Sequence, residues 1–249
     1  MLNLGAGCYL KDKFTSLIDK SKVKLIFEIG SRDCLDAIDL NNYYNCKVYA
    51  FECNPMALRL SKNNIKKNNI SKNKIELIDK AIYNENKTIK FYPVIKTLGV
   101  YEENKELFKI ENQKYGNVGD ISNIGASSIF KFNKQHEVDK YGHTDHHQQK
   151  EIDVDAIRLD TFINTSNIDV PDLICMDLQG SELMALQGLS NYLSKVKYII
   201  TELLTAYSYE EQGDIKDVIE LLENNGFELK VGNLNSRFVN DFLFINKNI

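Results

Sequence analysis

No Cys-x-x-Cys pair joins any of the five cysteines, Cys8, Cys34, Cys46, Cys53 and Cys175. An odd number of thiols in a chain of this length argues against a disulfide framework, so a reducing, intracellular setting is expected. No apolar run reaches the roughly 20 residues of a membrane span, and the N-terminal MLNLGAGCYLKDK lacks the apolar centre of a signal peptide. A soluble, cytoplasmic protein with no membrane partner is the expectation. Positive charge is not in surplus either: 31 basic against 35 acidic residues leave a net charge of -4, which argues against a broad electrostatic grip on nucleic acid. The missing glycines are more informative. After the apolar run LIFEI a turn opens at Gly30, but the second and third glycines of a dinucleotide turn, G-x-G-x-x-G, are replaced by Arg32 and Leu35. A pyrophosphate needs bare backbone at those places, and Asp33 and Asp36 set negative charge against it. The turn suits a cation.

The 249 residues are 43% hydrophobic and 27% charged, enough to bury a full core within one α/β domain, 1–249. Short apolar runs alternate with amphipathic stretches, the pattern of a mostly parallel sheet covered by helices. Strands are expected over 24–29, 47–52, 74–79, 172–177 and 198–203. Helices are expected over Cys34 to Tyr44, Pro55 to Asn68, Ser181 to Leu193 and Gln212 to Asn225, the second capped by Asn54 with Pro55 in its first turn. GFELKV and DFLFIN, joined by a Gly/Asn/Ser turn, predict a closing antiparallel hairpin at one sheet edge. Residues 93–150 break the rhythm. They are polar and poorly periodic, and read as a substrate-side insertion or lid, or as a mobile loop.

In an open parallel sheet, ligands sit beyond the carboxyl ends of the strands, where strand order reverses. The expected strands finish on acids: Glu28, Glu52, Asp79, Asp177 and Glu202. Glu52 follows Gly30 by about the 20 residues at which a second-strand acid accepts from ribose hydroxyls. S-adenosylmethionine fits this set, with a ribose, an adenine, a sulfonium and an amino group, and no phosphate. Each acid taken singly also reads as a helix cap or a solvated group.

The segments FEIGSRDCLDAI, VYAFECNP, IDKAIYN, GASSI, IRLDTFI and PDLICMDLQGSELMALQGL, followed by YIITEL, run in order from residue 25 to about 204. In them the chain resembles the FkbM-type methyltransferases of the class I S-adenosylmethionine-dependent superfamily. The resemblance implies a Rossmann-like fold with a mostly parallel seven-stranded sheet, an antiparallel C-terminal hairpin and helices on both faces. It also implies methyl transfer from S-adenosylmethionine to a hydroxyl of a sugar, glycan or small metabolite. Glu28 and Gly30 then form the cofactor turn with Ser31, Asp33 lies near the methionine end, Glu52 with Cys53 meets the ribose, and Asp79 with Ala81 lines the adenine. Where the family has Glu, this chain has Gln179, which assigns the chemistry to Asp177 and, after it, Glu182.

A hydroxyl acceptor needs a base or a metal. Asp177 is the first choice for the base, and a divalent metal is possible but not indicated. His143, His146 and His147 read as solvated loop residues or as a source of a second base, His143 first. The GASSIF hydroxyls, Ser128 among them, read as ligands of cofactor or substrate, or as an ordinary turn into a strand. Tyr207 and Tyr209 are candidates to stack on an acceptor sugar. The rival readings are an N-methyltransferase, a cofactor-binding domain without activity and a nicotinamide dehydrogenase.

Overall fold

A computed structural model of the chain describes residues 9–97, 123–142, 146–234 and 240–249. A seven-stranded sheet runs through it, built from β1 (Leu25–Ile29), β2 (Lys47–Glu52), β3 (Ile75–Asp79), β9 (Leu173–Met176), β10 (Tyr198–Leu203), β11 (Phe227–Val231) and β12 (Asn240–Asn246). The spatial order is β11-β12-β10-β9-β1-β2-β3. The five strands from β10 to β3 are parallel, and β12 runs antiparallel to both β10 and β11. The chain therefore reverses its direction of travel across the sheet between β1 and β9, which opens a crevice at their carboxyl ends. This is the Rossmann-like architecture of the class I methyltransferases. The five expected strands lie within one residue of their places.

Both faces of the sheet are buried, as side-chain alternation requires. Phe27, Ile29, Ile174, Met176, Ile199, Phe242 and Phe244 enter one core with helices α5 (Leu159–Ser166), α6 (Glu182–Gln187) and α7 (Ile215–Asn224). Their alternates Ile26, Leu173, Cys175, Ile200 and Leu243 enter the other, under α1 (Asp12–Thr15) and α2 (Leu35–Tyr44), with Ile65 of α3 (Pro55–Lys67) at its margin. Phe27, Phe51 and Phe162 meet edge to face at 5.0–5.9 Å between centroids, each pair adding about 0.5–1.5 kcal/mol to the burial of its area. The Asn54 side chain accepts from Met56 N at 3.0 Å and starts α3 as a cap.

Two features differ from the expectations. The helix expected over Ser181 to Leu193 is α6 followed by a 3-10 segment, Ser190–Lys195. The break falls at Gly188, where a Cβ would lie 2.6 Å from the Tyr83 carbonyl oxygen and the glycine's own carbonyl accepts from Asp160 N. A side sheet, absent from the reading of the sequence, joins β4 (Ala81–Ile82), β5 (Lys87–Phe91) and β8 (Ile152–Ile157). Among the described residues of 93–150, β6 (Val94–Thr97) pairs with β7 (His147–Gln149), and α4 (Lys134–Tyr141) is capped by the Asn133 side chain. Among the described residues, no helix is long and apolar enough to cross a membrane.

Candidate functional site

The lone glycine of the first turn has a reason that owes nothing to phosphate. Gly30 sits at φ 83°, and a Cβ there would lie 2.0 Å from the carbonyl oxygen of Asp177. At this junction Asp177 N donates to Ile29 O at 3.0 Å, while Gly30 N and Ser31 N both donate to Phe51 O. Strands β1, β2 and β9 thus converge on one backbone, and only a residue without a side chain fits between them. Beyond it, Arg32 and Cys34 take left-handed conformations at φ 51° and 61°. Asp33 turns inward, 3% exposed, and accepts from Leu35 N at the start of α2. It does not line the crevice; Asp36, one helical turn on, does.

The crevice is walled by Glu28, Ser31, Asp36, Glu52, Cys53 and Asp177 on the sheet side. Glu28 is 2% exposed and accepts from the Ser31 hydroxyl. Burial, with Asp36 as a neighbouring like charge, pushes its carboxyl well above the usual range. Glu52 accepts three backbone N–H bonds: Oε1 from Cys53 and Asn54 at 2.8 and 2.7 Å, Oε2 from Arg32 at 2.8 Å. Burial still raises it to about 7, against the lowering effect of those donors. A carboxylate offers about four acceptor positions, so Glu52 keeps one for an outside hydroxyl. Asp79 is exposed and off the crevice. Its neighbours Lys80, Ala81 and Ile82 line it, with Phe91 from β5 adding an apolar wall.

The opposite wall is the segment Ile124, Gly125, Ser127 and Ile129. Ser127 lines the crevice and its Oγ accepts from Val94 N and Asn54 Nδ2 at 2.9 and 3.2 Å. Ser128 faces away from the crevice, donating to Gln179 O and accepting from Phe130 N. The two adjacent hydroxyls were visible in the sequence, but not which of them faces inward.

At the end of β9, Asp177 lines the crevice, pushed up to about 6 by burial. Gln179 Nε2 donates to Asp177 Oδ1 at 2.6 Å and to Glu202 Oε1 at 3.1 Å. Burial and the charge of Asp177 push Glu202 up to about 8. Glu182 does not line the crevice. It is 4% exposed, and its oxygens accept from Leu178 N and Gly180 N, closing the turn beneath Asp177; burial raises it to about 7. Its geometry is that of a support for the turn.

His143 lies outside the described residues. His147 is buried, its Nδ1 3.3 Å from Glu137 Oε1 and its ring stacked on Phe132 at 4.4 Å. His146 meets it edge to face. Neither lines the crevice, and burial lowers His147 to about 4. Tyr209 is 3% exposed and stacked on Phe132 at 4.7 Å, so it offers no face to a sugar, whereas Tyr207 is 58% exposed. Among the described residues, no group of three or more His, Cys, Asp or Glu side chains is arranged to hold a metal ion.

Comparison with known proteins falls on the same ground. The profile of the family described as "Methyltransferase FkbM domain" matches residues 29–229. The 2-O-methyltransferase NoeI of Sinorhizobium fredii (strain NBRC 101917 / NGR234) is 26% identical over 218 residues, 87% of this chain and 77% of the relative. The crystal structure of methyltransferase FkbM from Methylobacillus flagellatus KT superposes with a TM-score of 0.52 at 15% identity. That match covers 93% of this chain, which spans 45% of the other.

Proposed function

The chain belongs to the FkbM methyltransferase family, and on that premise we propose that it methylates a hydroxyl oxygen of a sugar, glycan or small metabolite, using S-adenosylmethionine. The observation that carries the reading is the half-buried Asp177 carboxylate opening onto the same crevice as Glu28, Asp36 and Glu52. The donor set fits the cofactor. Glu28 and Asp36 suit its ammonium and sulfonium charges, Glu52 keeps an acceptor position for one ribose hydroxyl, and Ala81, Ile82 and Phe91 offer apolar surface to the adenine. The first turn disfavours a pyrophosphate: the Asp177 carbonyl fills the space behind Gly30, and Asp33 and Asp36 follow it. When bound, the cofactor supplies the electrophilic methyl group.

The protein's task is then to hold the acceptor in line with the methyl carbon and to remove the hydroxyl proton. The Asp177 carboxylate takes that proton as the new carbon–oxygen bond forms and the carbon–sulfur bond breaks. With its proton affinity raised by burial to about 6, it is a stronger base than a solvated aspartate and is still mostly ionised near neutrality. The 124–129 wall, part of the insertion 93–150, would exclude water and face the acceptor within a single domain spanning 1–249.

The test is incubation with methyl-labelled S-adenosylmethionine and two panels, one of mono- and oligosaccharides, one of primary and secondary amines. Label on a sugar oxygen, lost in Asp177→Asn, supports the reading. Label confined to the amines refutes it in favour of N-methylation.

A further inference from the structure

We propose that Gln179 is a positioning residue, whose side-chain amide fixes the Asp177 carboxylate against Glu202 and sets the proton affinity of Asp177. The inference rests on Asp177 as the base of the proposed reaction, and it goes further by naming what holds that base. Gln179 Nε2 reaches both carboxylates, at 2.6 Å to Asp177 Oδ1 and 3.1 Å to Glu202 Oε1. An amide has two N–H donors on one nitrogen, so one side chain bridges two acids that would otherwise face each other.

The bridge is held from behind. Tyr209 Oη lies 3.0 Å from Gln179 Oε1 and 2.8 Å from Ala126 O, and its one proton serves one of these acceptors at a time. Donation to Oε1 fixes the amide with its nitrogen toward the acids. The reverse orientation would aim the amide oxygen at two carboxylates. The backbone is fixed as well: Gln179 takes φ 53°, a left-handed conformation uncommon for a residue with a side chain, and its carbonyl accepts from Ser128 Oγ at 2.9 Å. Such conformations persist where the surroundings over-determine them, and they concentrate at functional sites.

Among the described residues, the other charges facing the pair are Arg32, Asp241 and Glu182 toward Asp177, and Asp241 and Glu182 toward Glu202. Lys11 and Lys13 engage Asp241 from the far side. Within this field Gln179 supplies a neutral donor that reaches both acids at once. It stabilises the ionised carboxylate of Asp177 in a setting whose burial works against ionisation.

The experiment is carbon-13 NMR titration of the full chain labelled at its Asp and Glu side-chain carboxyls, with Asp177 and Glu202 assigned from Asp177→Asn and Glu202→Gln. This readout needs no acceptor and no cofactor. The pair is expected to titrate in two linked steps. In Gln179→Met the step dominated by Asp177 should move up by one pH unit or more, a tenfold gain in proton affinity, and in Glu202→Gln it should move down. Tyr209→Phe, which keeps the ring stack, should produce a smaller upward shift. S-adenosylhomocysteine affinity should stay within about twofold in all three. A purely structural role for Gln179 would lower the melting temperature of Gln179→Met but leave the titration where it is, and that result overturns the proposal. Once a sugar acceptor is in hand, the acid limb of its kcat profile should move with the titration. A moved titration with an unmoved acid limb supports the amide's hold on the pair and removes Asp177 from proton transfer, so the failure falls on the proposed reaction and not on Gln179.

Discussion

Replacement of Glu52 by glutamine tests the cofactor end of the crevice with little change of shape. In the protein, Glu52 Oε1 accepts from Cys53 N and Asn54 N, and Oε2 accepts from Arg32 N. Three of about four acceptor positions are thereby occupied, and the fourth, on Oε2, is the one left for a ribose hydroxyl. In Glu52→Gln, Oε1 can keep its two partners, but the amide nitrogen replaces Oε2 and accepts nothing. The bond from Arg32 N is lost in the free and the bound protein alike, so binding itself loses one hydrogen bond to a charged group, worth about 1.5–3 kcal/mol, and the dissociation constant for S-adenosylhomocysteine should rise roughly 10- to 150-fold. The pH dependence gives a second readout. Ribose donors favour the ionised carboxylate, so the complex has a lower pKa at Glu52 than the free protein's value of about 7. Binding then expels a proton below that value, and wild-type affinity should climb from pH 6 toward 8 and level off, whereas Glu52→Gln should climb less, keeping only the part due to the other raised carboxylates of the crevice, Glu28 and Asp177. Equilibrium dialysis against labelled S-adenosylhomocysteine measures both. Glu76→Gln, which disturbs a salt bridge with Lys47 and Lys72 outside the crevice, serves as the control. Unchanged affinity in a folded Glu52→Gln protein would refute the ribose assignment.

Three further outcomes are expected. Asp177→Asn should lower turnover on a hydroxyl acceptor by roughly 100-fold or more if it removes a general base, while S-adenosylhomocysteine binding by calorimetry stays near wild type. Gly30→Ala forces a Cβ to 2.0 Å from Asp177 O at φ 83°; denaturant unfolding should show a loss of more than about 2 kcal/mol, and a smaller loss would mean that the strand junction can spread. The third concerns pH and the ligand-free fold. Glu52, Glu182 and Glu202 have folded-state values raised to about 7, 7 and 8. Their stabilising effect is complete below the unfolded value and is lost as pH rises through the folded ones. The melting temperature should therefore fall from pH 6.5 to 8.5, above the range in which the neutral buried His147 must take up a proton, and a flat or rising curve would contradict these assignments.

The strands were legible because each is a short apolar run bounded by polar residues, buried on both faces of a parallel sheet, a pattern that leaves little room for another reading. Asn54 and Pro55 marked the start of α3 through local chemistry, which a sequence carries in full. Less was legible where distant contacts decide. The break at Gly188 depends on a carbonyl of Tyr83, about a hundred residues earlier, and no neighbouring residue signals it. Strand β5, KTIKF, is polar and largely exposed, so its periodicity is weak. Within the site, spacing pointed to Glu52 but not to its three backbone donors. Asp33 and Asp36 could not be told apart until the fold turned one inward and left the other on the crevice. Gln179 had looked like the loss of an acid; only the fold brings Glu202 and Tyr209 to it.

The most direct test of the account is calorimetric titration of the unmodified protein with S-adenosylhomocysteine, repeated with NAD. Saturable binding of S-adenosylhomocysteine at about micromolar concentration is expected, equivalent to roughly 8 kcal/mol, and none of NAD, because the turn after Gly30 carries Arg32 and Leu35 where a pyrophosphate needs glycines, with Asp33 and Asp36 beside them. Binding of NAD without S-adenosylhomocysteine, or of neither by a folded protein, would contradict it.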